Sequence, residues 1–212
     1  EDGTVTELPK KNVDTGMGLE RITAVLEGVT DNYASSIWTD VIAKIEEISG
    51  LPYKGNEKAM RIIADHIRSA AFVSADPAGI KPSNTDQGYI LRRLIRRAIR
   101  HARKLGLENN SNWEEQIALL IIEKYAPYYD ELTENKNVVL EVLKNEKTKF
   151  ERTLGKGLKE FEKVSTQDLD GQTAFRLFDT YGFPIELTVE LAEEKGLKVD
   201  VEGFKEKFKQ HQ

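Results

Sequence analysis

The sequence predicts a mainly α-helical protein. Apolar residues recur at intervals of three and four positions in one segment after another, which is the spacing of one face of an α-helix. Glycine and proline end several of these segments, as at Gly50-Leu51-Pro52. The 212 residues are 39% hydrophobic and 32% charged, which is typical of a globular protein with one large or two modest domains and much helical surface.

The overall composition excludes several classes of protein. A net charge of −5 argues against a protein that binds nucleic acid over its whole surface. The absence of cysteine excludes disulfides and thiolate metal sites, and no apolar run approaches the roughly 18 residues of a membrane-spanning helix. The chain begins at Glu1 without an initiator Met or a signal-like segment, so we expect a piece of a longer protein.

The first 28 residues predict a short strand and a helix. Val5–Leu8 favours a strand, which Pro9 ends, because proline cannot donate to a sheet. An apolar-periodic helix follows and ends at Gly28. Its predicted apolar residues are Leu19, Ile22, Val25 and Leu26.

Between this strand and helix, residues 12–21 have the sequence Asn-Val-Asp-Thr-Gly-Met-Gly-Leu-Glu-Arg. Gly16 and Gly18 would let the backbone pass close to a ligand, with Asp14 and Arg21 as opposite charges beside it. A dinucleotide-binding loop is excluded, because Arg21 stands where such a loop requires a third glycine. A plain strand-to-helix turn remains the alternative.

Two helices are predicted next, one from Asp31 to Ser49 and one that Asn56 caps. Asp65 and His66 in the second helix suggest acid–base chemistry. A structural role is favoured instead. His66 lies within the apolar face, and Asp65 and Arg68 stand at pairing distance along the helix.

The most unusual segment, Tyr89–Lys104, predicts a strongly amphipathic helix. Its apolar face consists of Leu91, Leu94, Ile95, Ala98, Ile99 and Ala102. Its cationic residues are Arg92, Arg93, Arg96, Arg97, Arg100, Arg103 and Lys104. No acidic residue occurs between Asp86 and Glu108. The pattern fits a solvated basic face on an ordinary core helix, or a surface for a nucleic-acid backbone, to which arginine donates paired hydrogen bonds.

The least regular segment, Ser74–Gly88, leads directly into this helix and contains two prolines and two glycines. Asn84 carries a donor and an acceptor on one amide, as the recognition of a base edge requires. Alternatively, Asn84 or Asp86 is a turn or capping residue.

The rest of the chain predicts five more helices, the first of which Asn110-Ser111 caps. Gly155 and Gly157 weaken the longest helix or allow close packing. Asp179 lies near the end of the third, where spacing alone predicts a surface acid. The predicted helices run from the Asn110 cap to Pro127, over about 137–164, over Thr173–Tyr181, over about 185–195 and over about 201–210.

Five segments resemble, in the same order, the alanyl-tRNA synthetases of class II, and most of all the bacterial type. Residues 13–21 resemble the third signature motif of class II. The other four segments are Arg61–Arg68, Pro82–Asn84, Gly88–Arg97 and Phe178–Pro184. The resemblance covers essentially the whole chain.

This resemblance implies a fragment of such an enzyme. Residues 1–28 would be the last strand and helix of the antiparallel catalytic domain, and residues 29–212 the helical domain that recognises the tRNA acceptor stem. The first two class II motifs, the editing domain and the C-terminal domain are absent. The implied partners therefore include the missing N-terminal catalytic part, on the same chain or on a separate subunit. The implied location is the cytoplasm, without a membrane partner.

The resemblance also implies the chemistry of the complete enzyme. Alanine and ATP form alanyl-adenylate, and the alanine is then transferred to the 3′ end of tRNA-Ala. Asp14 would hold the α-amino group of alanine, and Gly16 would line its side-chain pocket. Gly18 and Arg21 would contact ATP. Magnesium would accompany ATP without identifiable ligands here, no catalytic nucleophile is implied, and the chain alone is expected to be inactive.

For the tRNA, the resemblance implies that Asn84 and Asp179 contact the G·U pair of tRNA-Ala from opposite groove sides. The cationic candidates for tRNA contacts are Arg92, Arg93, Arg96, Arg97 and Arg100.

Two alternatives remain open. The absence of the first two motifs favours a non-catalytic tRNA-binding subunit or module, whereas Asp14 and Arg21 favour an active enzyme, since a stem binder needs neither. A helical scaffold that binds nothing is disfavoured by the acid-free arginine segment.

Overall fold

The computed structural model describes residues 6–7, 9–13 and 15–211, and these contain helices and no strand. The mainly α prediction is confirmed. The two ends of the predicted strand, Val5 and Leu8, and the predicted alanine ligand Asp14 lie outside the described residues. The α-helices are α1 (Leu19–Leu26), α2 (Thr39–Ser49), α3 (Glu57–Ala75), α4 (Asp86–Lys104), α5 (Trp113–Tyr125), α6 (Asp130–Glu134), α7 (Lys136–Val164), α8 (Gly171–Tyr181), α9 (Ile185–Glu193) and α10 (Val201–His211).

The chain divides into two compact units, residues 1–40 and residues 41–212. In the first unit, α1 is followed by a 3-10 helix, Asn32–Ala34, whose first turn is capped by the Asp31 carboxylate, 3.0 Å from the backbone nitrogen of Tyr33. The Tyr33 ring packs on that of Trp38 at 5.0 Å. The apolar face predicted for α1 is largely exposed, at Leu19, Val25 and Leu26.

Two helix starts differ from the predictions for local reasons. The helix expected from Asp31 begins at Thr39, because Asp31 caps the 3-10 helix and extended backbone at Ser35 interrupts the chain. The helix expected after Asn110 begins at Trp113, since the Asn110 side chain accepts a hydrogen bond from the backbone of Asn112 at 3.3 Å. Both asparagine and aspartate form such local turns, and sequence alone does not fix which turn wins.

The core of the second unit lies between α3, α4 and α7. The facing residues of α3 and α4 are apolar or small, so that the two helices pack closely. The buried apolar residues of these two helices include Met60, Ile63, Ala64, Ile67, Ala70, Ala71, Leu91, Ile95, Ala98, Ile99 and Ala102. α7 also packs on α5 and α8. Gly157 permits the contact with the end of α8, because a Cβ there would overlap the Tyr181 side chain and the Phe183 ring just after the helix.

The C-terminal helices are held by an aromatic cluster. The ring of Phe178 on α8 lies 5.6 Å from that of Phe204 and 5.3 Å from that of Phe208, both on α10. Asp170 caps α8 with a 2.7 Å hydrogen bond from the backbone of Thr173, which lowers the pKa of its carboxyl. α8 ends at Gly182, whose φ of 71° is a left-handed conformation that favours glycine.

Candidate functional site

The cationic residues of α4 do not form a bare basic surface. They meet glutamates on α9 and just after it, about one helical turn apart, so that two oppositely charged rows face each other. The charged pairs and their N–O distances are Arg93–Glu186 at 2.8 Å, Arg97–Glu190 at 3.0 Å, Arg100–Glu194 at 2.5 Å and Lys104–Glu194 at 2.8 Å. We call these residues the α4–α9 ion-pair row.

Glu190 is the centre of this row. Its carboxylate accepts hydrogen bonds from Arg97, lies 3.4 Å from Arg100 and is 3.2 Å from Nε2 of the buried His101. Burial raises the pKa of Glu190, but the hydrogen bonds from His101 and Arg97 and their charges outweigh it and hold the pKa well below its usual range. Burial is also the main cause of the lowered pKa of His101, which Glu190 opposes.

Arg100 lies in an enclosed position. The prediction counted it among the residues that contact tRNA, but its side chain is 3% exposed and is enclosed by Glu190 and Glu194. The tRNA contact of Arg100 therefore stays a prediction, for a side chain whose contacts lie within the domain. This enclosure could not be predicted from the sequence, because the glutamates that surround Arg100 lie some ninety residues further along the chain.

Two further arginines of α4 bind a glutamate on α7. Glu146 is 2% exposed, and its Oε1 lies 2.6 Å from Nε of Arg96 and 3.4 Å from Nε of Arg92. The Arg96 guanidinium also lies 5.0 Å above the Phe150 ring. Burial lowers the pKa of Arg96, and Glu146 opposes that shift.

The loop that carries Asn84 is closed by its own hydrogen bonds. The backbone nitrogen of Ser83 donates to the Gly88 carbonyl at 3.0 Å, and a Cβ on Gly88 would overlap the Ser83 side chain. Asn84 is exposed, and its amide oxygen accepts a hydrogen bond from Arg92, which also donates to the Pro82 carbonyl at 3.3 Å. The N-cap position of α4 is occupied by Thr85, so neither Asn84 nor Asp86 stands there.

Asp179 is exposed in the last turn of α8, three residues before Gly182. The preceding residue, Phe178, lines a cavity of about 190 Å³ together with Asn84 and Tyr89. The fold therefore brings the Asn84 loop and the end of α8 to one place, although they are distant in sequence.

Asp65 and His66 take part in packing and not in a separate site. Nδ1 of His66 lies 3.0 Å from the Asp65 carboxylate, and Nε2 lies 3.2 Å from Arg97. The hydrogen bond with His66 is the main cause of the lowered pKa of Asp65. This arrangement supports the structural interpretation of the pair.

In the first unit, Gly16 and Gly18 lie in the segment just before α1. A Cβ on Gly16 would meet no atom within 4 Å, and one on Gly18 would meet only the Arg21 side chain, at 3.9 Å. Neither glycine has the positive φ that would demand glycine within the fold. The space beside both residues is therefore open to a ligand, and the Arg21 side chain is exposed next to it.

The part of the chain that the structure describes contains no group of three or more His, Asp or Glu side chains that could hold a metal ion. No ligand for magnesium is therefore assigned. Within the same residues, no helix has both the length and the apolar character needed to cross a membrane.

Glu146 was missed in the sequence, although a signal was present. It stands between Leu143 and Phe150 on the buried stripe of the long helix, where an acid is out of place unless it is paired. Lys147 beside it is buried in the same way and binds Glu114 on α5 at 2.6 Å. Charged residues in an apolar stripe indicate buried ion pairs, but they do not identify the partners.

Comparisons with known proteins identify the family of the chain. The family model for tRNA synthetases class II (A) matches residues 1–212. An alanine–tRNA ligase of Borreliella afzelii (strain PKo) is 46% identical over 219 residues, covering 100% of this chain and 36% of that protein. An alanine–tRNA ligase of Desulfitobacterium hafniense (strain Y51) is 42% identical over 221 residues, covering 100% of this chain and 25% of that protein. The chain thus spans a minor part of the length of these relatives, and it belongs to the class II (A) family of tRNA synthetases.

Proposed function

We propose that this chain is part of an alanine–tRNA ligase and supplies both its third class II motif and its recognition of the tRNA-Ala acceptor stem. The two relatives that carry this name match the chain over its whole length. Membership of a class II synthetase family supports the use of ATP by the complete enzyme. In this proposal residues 1–28 complete the catalytic domain, and residues 29–212 bind the tRNA.

The observation that carries the tRNA proposal is the cavity that Asn84 shares with Phe178, the neighbour of Asp179. A G·U pair leaves the amino group of guanine without a pairing partner, and the exposed Asp179 carboxylate can accept a hydrogen bond from it. The Asn84 amide can donate to an acceptor on a base edge. Together the two residues would distinguish a G·U pair from a G·C pair.

Among the α4 arginines, we propose Arg93 and Arg97 as the phosphate contacts. Their side chains are 38% and 36% exposed, so that each guanidinium can reach a phosphate while it is paired with a glutamate. Arg92, Arg96 and Arg100 are more enclosed, and their contacts lie within the domain.

The recognition proposal is tested by aminoacylation of minihelices with a G·U or a G·C pair. In the full-length enzyme, Asn84→Ala and Asp179→Ala should each reduce the preference for G·U by about 1–3 kcal/mol, and the two effects should not add, because both residues would contact one pair. Asn137→Ala, an exposed asparagine at the start of α7, is the matched control. An unchanged G·U to G·C ratio in both variants would exclude these residues.

For the amino acid and ATP, we propose that Asp14 binds the α-amino group of alanine, that Gly16 lines the pocket for its methyl group, and that Gly18 and Arg21 contact ATP. The open space beside both glycines supports this proposal. Positioning and charge stabilisation would then drive the reaction, without a protein nucleophile.

The proposal for this segment is tested by alanine-dependent ATP–pyrophosphate exchange in the full-length enzyme. Asp14→Ala should impair the use of alanine far more than tRNA binding, and Arg21→Ala should act mainly through ATP. Normal exchange by both variants would contradict the assignment. A full-length wild-type protein that binds the acceptor stem but shows no exchange would instead be a non-catalytic tRNA-binding module.

A further inference from the structure

We propose that Glu146 is a positioning residue for recognition of the G·U pair: through Arg92 it orients the amide of Asn84, and through Arg96 it fixes the turn that follows Asp179. This inference rests on the proposed function of Asn84 and Asp179. It concerns three residues of α4 and α7 that are enclosed within the domain and are not expected to contact the RNA themselves.

Glu146 can hold both arginines at once because of its position. Arg92 and Arg96 lie one helical turn apart on the same face of α4, and Oε1 of Glu146 lies 3.4 Å and 2.6 Å from their Nε atoms. At 2% exposure, a carboxylate is costly to bury unless it is paired. Two guanidiniums offset that cost, and each keeps its terminal nitrogens for other partners.

Arg92 uses those nitrogens on the recognition loop. One donates to the amide oxygen of Asn84 and the other to the Pro82 carbonyl at 3.3 Å. A guanidinium can only donate, so it fixes which end of the Asn84 amide faces it. The NH₂ group is left for the RNA, where a base edge of the G·U pair presents acceptors. Asn84 thus acts as a donor, complementary to the acceptor Asp179.

Arg96 uses its terminal nitrogen on the turn after α8. Its Nη1 donates to the Gly182 carbonyl, and a Cβ on Gly182 would overlap the same nitrogen. Gly182 lies three residues after Asp179 and ends the helix that carries it. One buried carboxylate is therefore connected, through two arginines, to both segments that we propose to contact the G·U pair.

The test is the G·U to G·C ratio of minihelix aminoacylation by the full-length synthetase. Arg92→Met keeps the aliphatic length but removes the donors to Asn84, and should lower the ratio by about 5- to 150-fold, as loss of one base contact would. Glu146→Gln keeps the shape and removes the charge, and should lower the ratio as well. Glu141→Gln, an exposed glutamate on the same helix, should leave it unchanged.

The decisive comparison places Arg92→Met in an Asn84→Ala background. If Arg92 acts through Asn84, the second change should not lower the ratio further. A further loss there, or an equal loss on G·U and G·C stems, would make Arg92 an ordinary structural or phosphate-binding residue and overturn the inference. Should Asn84→Ala alone leave the ratio unchanged, the proposed function fails, and this inference with it. If instead Asn84→Ala lowers the ratio and Arg92→Met does not, the positioning role alone is wrong.

Discussion

The two halves of α4 use the same residue type in different ways. In the C-terminal half, Arg97 and Arg100 bind carboxylates of the α4–α9 ion-pair row. In the N-terminal half, Arg92 and Arg96 form ion pairs with one buried carboxylate, Glu146, and donate hydrogen bonds from their terminal nitrogens to loop carbonyls and to the Asn84 amide.

The different partners of the arginines suggest that one half of α4 serves stability and the other serves recognition of the tRNA. An ion pair between two helices stabilises their packing and depends little on the exact orientation of the side chains. Hydrogen bonds to backbone carbonyls are directional, so they hold a loop in one conformation. We therefore expect changes in the C-terminal half to act mainly on the free energy of unfolding. Changes in the N-terminal half should act mainly on discrimination between acceptor stems.

The largest expected effect is on stability, from Glu190→Ala. The change leaves Arg100 and His101 buried without their shared carboxylate, so we expect a loss of about 3 kcal/mol in the free energy of unfolding, measured with urea. Glu202→Ala, whose partner Lys205 is exposed, is the control and should cost less than about 1 kcal/mol. Equal losses in the two variants would show that the ion-pair row is screened by solvent.

A smaller effect is expected from Gly182→Ala, which tests the N-terminal half. Gly182 and Gly196 both have a φ of 71°, but a Cβ overlaps Arg96 only at Gly182. Gly196→Ala should therefore cost about 1–2 kcal/mol from backbone strain alone. Gly182→Ala should cost at least about 1 kcal/mol more and also lower the G·U to G·C ratio. Identical behaviour of the two variants would remove Arg96 from the account of the turn.

Acid should weaken the C-terminal half in two stages. The pKa of His101 is lowered from 6.5 in the folded state, so its stabilising contribution is present above pH 6.5 and is lost as the pH falls below it. The pKa of Glu190 is lowered from 4.5, so its contribution is lost as the pH falls below 4.5. Urea unfolding across this range should show both decreases. Glu190→Gln should reduce the loss of stability below pH 4.5. If that loss were unchanged in the variant, it could not be assigned to Glu190.

The smallest effect is expected from Arg93→Ala, a residue of the α4–α9 ion-pair row whose side chain is 38% exposed. If Arg93 contacts a phosphate, binding of all acceptor stems should weaken alike, and the slope of log binding constant against log salt should fall by about one. Fluorescence titration of G·U and G·C minihelices at several salt concentrations measures both quantities. A loss confined to G·U stems would place Arg93 in base recognition instead.

Helical periodicity predicted most of the fold. The helix predicted over about 137–164 spans Lys136–Val164, and the one predicted over about 201–210 spans Val201–His211. These segments are long or strongly amphipathic, so that the pattern of apolar residues alone defines them. The start of α2 could not be predicted, since the Asp31 side chain caps a 3-10 turn where the apolar pattern indicated a longer helix.

The partners of the α4 arginines could not be predicted either. Periodicity identifies which residues of a helix share a face, but not which distant helix covers that face. Glu186, Glu190 and Glu194 have a spacing of four, which indicates an acidic row, yet nothing in the sequence assigns that row to α4. A shared site for Asn84 and Asp179 was predicted only from the resemblance to the family. The residues by themselves did not relate the two positions to each other.

The most direct test of the central claim removes one atom group from the RNA. Replacement of guanine by inosine in the G·U pair deletes the amino group that we propose Asp179 to bind. With the full-length enzyme, Asp179→Ala should slow aminoacylation of the G·U minihelix and leave that of the inosine·U minihelix unchanged, because the contact is already absent. An equal loss on the two minihelices would contradict recognition of the guanine amino group by Asp179.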